Sequence, residues 1–430
     1  MSTIEQAMVH GIRAQQAGRF ELARSVYEAI VRQAPRHPVS ANAWANLAAL
    51  HERHNRVSQA VSSAEEALGI DPGHPVAGLV AARCLRRNGA CEEALVRVES
   101  VPTERHTSGL MYERARLLDR LGCYDAAYEG YVLANRHRME ERPGVNRTVL
   151  PRMIAETRRC FTEDWVDGWY DLSPSERPSP LFLVGFNRSG TTLLDRMMGA
   201  HPGVEVLEEH VGGVAAIDEA RRVLGGRYPA GLADLGDSLA DRARAAYFSV
   251  IDRHITTGFD GLVVDKLPLN TISLGLIYRL FPDARVVLSL RHPADVVLSN
   301  FMQAYSPNPI TVHFGSIPAA AQIYSEVMGL GQHLRQVLPL PVLEVRYEDL
   351  VEDWETEIRR LLDFAGLEWN PMVLKYRGLA AQEHIDTPSY DQVVEPVYSR
   401  SIGRWRNYTD ALAPAWGSLL PFIRCFGYTD

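Results

Sequence analysis

Two short stretches of this 430-residue chain hold side chains at spacings suited to gripping an anion and stabilising charge. The first is Gly185-Phe-Asn-Arg-Ser-Gly-Thr-Thr192, which follows the apolar run Leu181-Phe-Leu-Val and leads into the helix-like Leu193-Leu-Asp-Arg-Met-Met-Gly-Ala200. Strand, glycine-bearing loop, helix is the context in which backbone N–H groups and a helix N-terminus cradle a phosphate. Against the pattern G-x-x-x-x-G-K-[ST] the glycine spacing is kept, but Thr191 stands where a lysine would reach the β- and γ-phosphates. Such a loop suits a nucleotide with a short 5′ chain and little need for magnesium, with Arg188 supplying positive charge beside the phosphate. The second stretch is Asp265-Lys-Leu-Pro-Leu-Asn270. Of the 45 basic residues only Lys266 and Lys375 are lysine, so a role that needs an ammonium has few candidates. An ammonium is a compact point charge or proton donor, whereas a guanidinium is a broad fork. Lys375, in Asn370-Pro-Met-Val-Leu-Lys-Tyr376, reads as a surface residue of a helix.

The elements that must position these residues change character along the chain. Four N-terminal segments align on a turn residue followed five positions later by alanine: Gly18 with Ala23, Asn55 with Ala60, Gly89 with Ala94, Gly122 with Ala127. Successive alanines are 37, 34 and 33 residues apart, which brackets a helix-pair repeat of about 34 residues. The first two units end alike, in Gln33-Ala-Pro-Arg-His-Pro38 and Ile70-Asp-Pro-Gly-His-Pro75, where proline is expected to stop the second helix. Residues 1–145 therefore resemble a tetratricopeptide array with degenerate later units. Residues 146–180 form a helical bridge and a breaker-rich linker ending in Asp171-Leu-Ser-Pro-Ser-Glu-Arg-Pro-Ser-Pro180. Beyond it, Leu181–Gly185, Leu262–Asp265, Arg285–Leu290 and Pro341–Arg346 are short β-rich runs separated by helical segments. That alternation predicts βα units around a central parallel sheet over residues 181–430. The fold class expected is thus α followed by a P-loop-like α/β domain, with ligands at the carboxyl ends of the strands.

Composition narrows the function classes. With 46% apolar residues and 23% charged, disorder and a disulfide scaffold are excluded. A net charge of −8 argues against a nucleic-acid partner. The five cysteines, Cys84, Cys91, Cys123, Cys160 and Cys425, show no Cys-x-x-Cys pairing and read as buried thiols in a reducing compartment. The polar N-terminus lacks the apolar run of a secretory signal, and no window reaches the roughly 18–20 apolar residues that span a bilayer. A cytoplasmic protein with no membrane partner is expected.

With these elements in hand, a family resemblance becomes specific. Arg188-Ser-Gly-Thr-Thr192 after an apolar strand resembles the 5′-phosphosulfate loop of the sulfotransferases, which use 3′-phosphoadenosine 5′-phosphosulfate (PAPS). Asp265–Asn270 is similar to the lysine-bearing strand end of tyrosylprotein and related bacterial sulfotransferases. Arg291-His-Pro-Ala-Asp-Val-Val-Leu-Ser299 resembles their 3′-phosphate segment, and Arg346-Tyr-Glu-Asp-Leu350, Thr387-Pro-Ser-Tyr-Asp-Gln-Val393 and Ser401-Ile-Gly-Arg-Trp-Arg406 follow in order. The resemblance spans essentially residues 181–410. With the repeats, the chain resembles bacterial sulfotransferases fused to tetratricopeptide repeats.

The resemblance implies roles. Ser189, Gly190, Thr191 and Thr192 would hold the 5′-phosphate of the nucleotide, and Arg291 with Ser299 the 3′-phosphate. Tyr347, Ser389 and Arg404 would be further nucleotide contacts. Lys266 with Arg188 would stabilise the leaving group, PAPS would be the donor, 3′-phosphoadenosine 5′-phosphate (PAP) the product, and no metal is implied. Glu209, by its spacing from Arg188, matches the glutamate that takes the acceptor proton. Its neighbour Glu208 is the rival, and a strand end would point the two in opposite directions. Cytosolic small-molecule sulfotransferases use histidine, which keeps His210 and His292 as further candidates. The tyrosylprotein type has an arginine two residues after its glutamate, where this chain has Val211. Residues 151–430 also carry 26 basic and 36 acidic residues, a charge that would not draw in an acidic peptide. The acceptor hydroxyl is left open between peptide tyrosine, glycan and small metabolite. The array could hold a protein or peptide partner or form a homodimer. The alternatives are a repeat-based adaptor with an inactive nucleotide-binding domain and, against the missing loop lysine, a nucleotide kinase.

Overall fold

The computed structural model describes residues 3–209, 212–376 and 401–429. The chain divides into two compact units, Met1–Gly144 with Met302–Pro307, and Val145–Phe301 with Asn308–Asp430. The segment expected as a bridge holds helices Val149–Cys160 and Glu163–Asp167 and groups with the second unit.

The first unit is four antiparallel helix pairs: α1 (Thr3–Gln16) with α2 (Phe20–Gln33), α3 (Pro38–Arg53) with α4 (Val57–Ile70), α5 (Pro75–Arg87) with α6 (Cys91–Glu99), and α7 (Ser108–Arg120) with α8 (Tyr124–Glu140). The aligned turn residues share one conformation. Gly18, Asn55, Gly89 and Gly122 all have left-handed backbones, with φ of 71°, 57°, 84° and 78°. Glycine enters that region freely and asparagine at little cost, so the turn chemistry dictates the residue type. The paired alanines, Ala23, Ala60, Ala94 and Ala127, are fully buried, because only a methyl fits where the two helices of a pair approach. Proline acts at two points in each shared linker. Pro35 and Pro72 follow the end of α2 and α4, whereas Pro38 and Pro75 open the next helix at its first position, where the missing N–H is harmless. In α7, buried Glu113 is held by Arg86 of α5 at 2.5 Å.

The second unit is built on a parallel sheet of β1 (Leu181–Gly185), β2 (Val204–Glu208), β3 (Leu262–Lys266), β4 (Arg285–Leu290) and β5 (Val342–Arg346). Their order is β2-β3-β1-β4-β5 among the described residues, so the expected parallel α/β core is present. Four of the strands were expected as such. β2 is a half-exposed edge strand with two glutamates in five residues, so it lacks the apolar run that marks the inner strands. One face packs Leu181, Leu183, Val264 and Val287 against Leu194, Met197, Met198, Ile358 and Leu361. On the other face Tyr247 donates to buried Asp265 Oδ2 at 2.7 Å, among Phe182, Phe248 and Phe281.

The cysteines depart from expectation. All five are free thiols, but Cys84 alone is buried; Cys123 and Cys425 are exposed because they sit at helix ends rather than on packed faces. Among the described residues no helix is long and apolar enough to cross a membrane.

Two outcomes follow from these arrangements. A Cβ at Gly122 would meet nothing within 4 Å, so Gly122→Ala should cost about 1 kcal/mol through backbone conformation alone, read by urea unfolding. Burial pushes Asp265 up to about 6, the Tyr247 hydrogen bond only partly opposing it. The unfolded chain then releases this proton more readily than the folded one, so this group's contribution to stability falls as pH rises from about 4 to about 6. Asp265→Asn should therefore gain about 2–3 kcal/mol relative to the parent between those limits, and equal pH dependence in both proteins would refute the assignment.

Candidate functional site

Every candidate residue that lies within the described set gathers at the carboxyl end of the sheet. β1 runs into the loop Phe186–Gly190, and the helix Thr191–Gly199 starts at its end. Gly185 and Gly190 are both demanded by close approach. A Cβ on Gly185 would lie 2.7 Å from the Ser289 carbonyl oxygen, and one on Gly190 2.6 Å from Cδ2 of Tyr347. Gly190 also has φ of 101°, and Arg188 takes the left-handed region at 71°. Neighbouring elements hold the loop by its carbonyls. Thr271 Oγ1 donates to Gly185 O at 2.7 Å, Asn300 Nδ2 to Asn187 O at 2.8 Å, Arg291 Nη1 to Arg188 O at 3.2 Å and Ser289 Oγ to Ser189 O at 2.9 Å. The first N–H groups of the following helix have no intrahelical acceptor, and Thr191 and Thr192 are buried beside them.

Arg291 follows the last residue of β4, and helix Pro293–Phe301 carries Asp295 and Ser299 one turn apart. Arg188 Nε donates to Ser299 Oγ at 3.1 Å, so the loop and this helix are joined directly. The Arg291 guanidinium is 5.2 Å from the centre of the Tyr347 ring and donates to the Ser401 carbonyl. Asp295 accepts from the N–H groups of Gly403 and Trp405 at 2.7 and 2.9 Å, which fixes the two residues flanking Arg404. Ser189 Oγ and Arg291 Nε are buried and have no hydrogen-bond partner among the described residues. An orphaned hydroxyl and an orphaned guanidinium nitrogen beside the N–H groups that open this helix fit an anionic nucleotide. Ser389 lies outside the described residues, as does His210.

The second cluster centres on Lys266, the last residue of β3, which is fully buried. Its Nζ is 3.1 Å from Glu209 Oε1, 3.3 Å from Glu208 Oε1 and 3.3 Å from Asp195 Oδ2. Burial disfavours the ammonium, but the three carboxylates, Asp195 foremost, outweigh it and hold its proton affinity above that of an ordinary lysine. Burial in turn pushes Asp195 upward, against the pull of Lys266. Arg196 completes the cluster through Glu208 Oε2 at 2.7 Å.

Here the expectation that Glu208 and Glu209 point apart is corrected. Glu208 ends β2 in register with Lys266, and the Glu209 N–H donates to the Lys266 carbonyl at 2.8 Å. Glu209 then takes a left-handed backbone, φ 53°, which breaks the alternation and turns its carboxylate onto the same ammonium. His292 is occupied differently. Its ring stacks on Trp405 at 4.9 Å, its Nδ1 accepts from the Ala294 N–H, and burial lowers its proton affinity. Lys375 is exposed on a 3-10 turn rather than an α-helix, Pro371 acting at the turn's start. Asp195, Thr271, Ser289 and Asn300 were not singled out from sequence. Each bears an ordinary polar side chain whose partner comes from a distant segment, and only the position of Asp195 within the loop helix could have drawn notice. Among the described residues no group of His, Cys, Asp and Glu is arranged to hold a metal ion.

Residues 180–371 match the model of the sulfotransferase family, and residues 8–75 match a tetratricopeptide repeat. An uncharacterized protein of Aquifex aeolicus is 28% identical over 75% of this chain and 42% of its own length. Nodulation protein NoeE of Sinorhizobium fredii is 26% identical over 55% of this chain and 62% of its own. Protein-tyrosine sulfotransferase 2 of Gallus gallus is 27% identical over 52% of this chain and 62% of its own. The chain thus spans less than two thirds of the length of these relatives. With a phosphate-type loop, a buried lysine and a parallel sheet in the segment that matches, this chain carries a sulfotransferase-family domain joined to N-terminal tetratricopeptide repeats.

Proposed function

We propose that the chain transfers a sulfuryl group from PAPS to an acceptor hydroxyl, releasing PAP. The observation that carries this reading is the contact of Lys266 Nζ with Glu209 Oε1 at 3.1 Å, a cation and a base side by side at the strand ends next to an anion loop. The donor, when bound, supplies an electrophilic sulfur and a phosphate leaving group. Ser189, Gly190, Thr191 and Thr192 hold its 5′-phosphate through N–H groups and hydroxyls. Arg291 and Ser299 hold its 3′-phosphate, and Tyr347, Ser389 and Arg404 contact the rest of the nucleotide.

Glu209 accepts the acceptor proton on its carboxylate. Its side chain is 45% exposed, so a hydroxyl can reach it, whereas Glu208 has a cation on each oxygen. Lys266 and Arg188 neutralise charge as it develops on the leaving oxygen. Transfer of this type needs little covalent help from the protein, so positioning and electrostatics supply the catalysis.

The working division is a repeat domain over 1–145, a bridge over 146–180 and the transfer domain over 181–430. Peptide tyrosine, a glycan and a small metabolite are the acceptor classes, and the excess of acidic residues in 151–430 counts against a strongly acidic peptide. A helix-pair array of this repeat type favours a protein or peptide partner on the first unit.

PAP should raise the melting temperature of the pure protein more than ATP with magnesium does. The reverse order would favour a kinase, and no shift with either would favour an adaptor. With labelled PAPS and a lysate of the source cell as acceptor pool, Glu209→Gln should lower label transfer by about 10²–10⁴-fold, the usual worth of a general base. Lys266→Ala should do likewise, both variants keeping the PAP-induced melting shift. Full transfer by either variant removes that residue from the mechanism.

A further inference from the structure

Three carboxylates stand within 3.3 Å of the Lys266 ammonium, Glu208 and Glu209 as hydrogen-bond acceptors and Asp195 as an ion-pair contact. The three differ in how firmly they are held. Asp195, on the helix that starts at the loop, is 2% exposed, and neither of its carboxylate oxygens accepts a hydrogen bond among the described residues. The cations near it are Lys266 and, at 3.6 Å, Arg196 Nε. Glu208 is locked from both sides, Oε1 by Lys266 and Oε2 by Arg196. Glu209 lies one residue past the strand, with its side chain 45% exposed. Asp265, adjacent to Lys266 in the chain, faces the opposite side of the sheet and is bonded to Tyr247. Among the described residues, the charged groups that face Lys266 are therefore Asp195 and Arg196 from the loop helix, and Glu208 and Glu209 from the end of β2.

Lys266 has no exposed surface, two of its N–H groups donate to Glu208 and Glu209, and its third side faces Asp195, so a ligand at the loop reaches the ammonium only as a carboxylate gives way. Moving Asp195 away would strand a buried charge, and moving Glu208 would unpair Arg196 as well; Glu209 can turn into water.

We propose that Asp195 and Glu208 are the permanent counter-ions that position Lys266, and that Glu209 is the exchangeable one, whose turn toward an incoming hydroxyl frees a Lys266 N–H for an anionic ligand. Asp195 is then a positioning residue acting through Lys266. In the resting arrangement base and cation block each other, so each becomes available only when the other is engaged. This rests on the roles of Lys266 and Glu209 proposed above.

The chain's two lysines make the test direct. In full-length protein labelled with ¹³C at lysine Cε, two signals are expected, assigned by Lys375→Arg, with the exposed Lys375 as internal reference. Without ligand, Lys266 should hold its proton to higher pH than an ordinary lysine in the parent, because three carboxylates surround its ammonium. Asp195→Asn should lower its proton affinity tenfold or more, Asp195→Glu should restore most of that, and Glu209→Gln should lower it less than about threefold, its charge being screened by water. PAP should shift the Lys266 signal in the parent. An unchanged Lys266 titration in Asp195→Asn overturns the proposal, as does a larger drop in Glu209→Gln than in Asp195→Asn. Should Asp195→Asn not fold, Asp195→Glu and Glu209→Gln decide: a tenfold drop in either overturns it. Failure of PAP to move the signal or the melting temperature counts against the nucleotide reading and leaves these ligand-free titrations intact.

Discussion

A charged lysine with no exposed surface is the constraint around which the second unit is arranged. Lys266 is fully buried, and an unpaired ammonium in that position would lose its proton or unfold its surroundings. Three carboxylates prevent this, and they come from separate elements: Asp195 from the helix after the loop, Glu208 and Glu209 from the end of β2, with Arg196 of the same helix pairing the far oxygen of Glu208. The cluster therefore ties the loop helix, β2 and β3 together at the end of the sheet where the anion loop lies. A charge pattern that stabilises the strand ends is the same one proposed to do chemistry there.

Parallel topology makes this concentration of function natural. Because all five strands run the same way, their carboxyl ends share one edge, and residues far apart in sequence arrive together. β1 is the central strand, flanked by β3 and β4, so the loop after it is bounded by Lys266 on one side and Arg291 on the other. The loop has no freedom to drift. Its carbonyls are tied by Thr271, Ser289, Arg291 and Asn300, and its two glycines are enclosed by backbone and by Tyr347. Such external bracing is what preorganised donors require, since a donor that must reorganise during the reaction loses much of its electrostatic value.

The first unit obeys a different rule. There the recurrent requirement is geometric: a left-handed turn, then an alanine where helices touch. Gly18, Asn55, Gly89 and Gly122 satisfy the turn, and the four alanines five residues on are fully buried. No catalytic reasoning is needed to explain them, and an array built this way exposes long helix faces at little cost in stability.

How much could be read from the residues alone depended on whether the signal was local. Repeat spacing, the anion loop, four strands and the singular Lys266 are all written in contiguous stretches, because left-handed turns demand glycine or asparagine and buried strands demand apolar runs. β2 was less legible, since an edge strand is half-exposed and its glutamates dilute the pattern. The counter-ions of Lys266 were not legible as a set. Asp195 precedes Lys266 by 71 positions and Glu208 by 58. The facing of Glu208 and Glu209 was read wrongly, because alternation holds only while the strand continues and Glu209 has already left it. By itself, then, the sequence determined the two-part architecture, the loop and the candidate cation. Only the tertiary structure decided which acids surround that cation, because such pairing depends on strand order and register, which no single segment encodes.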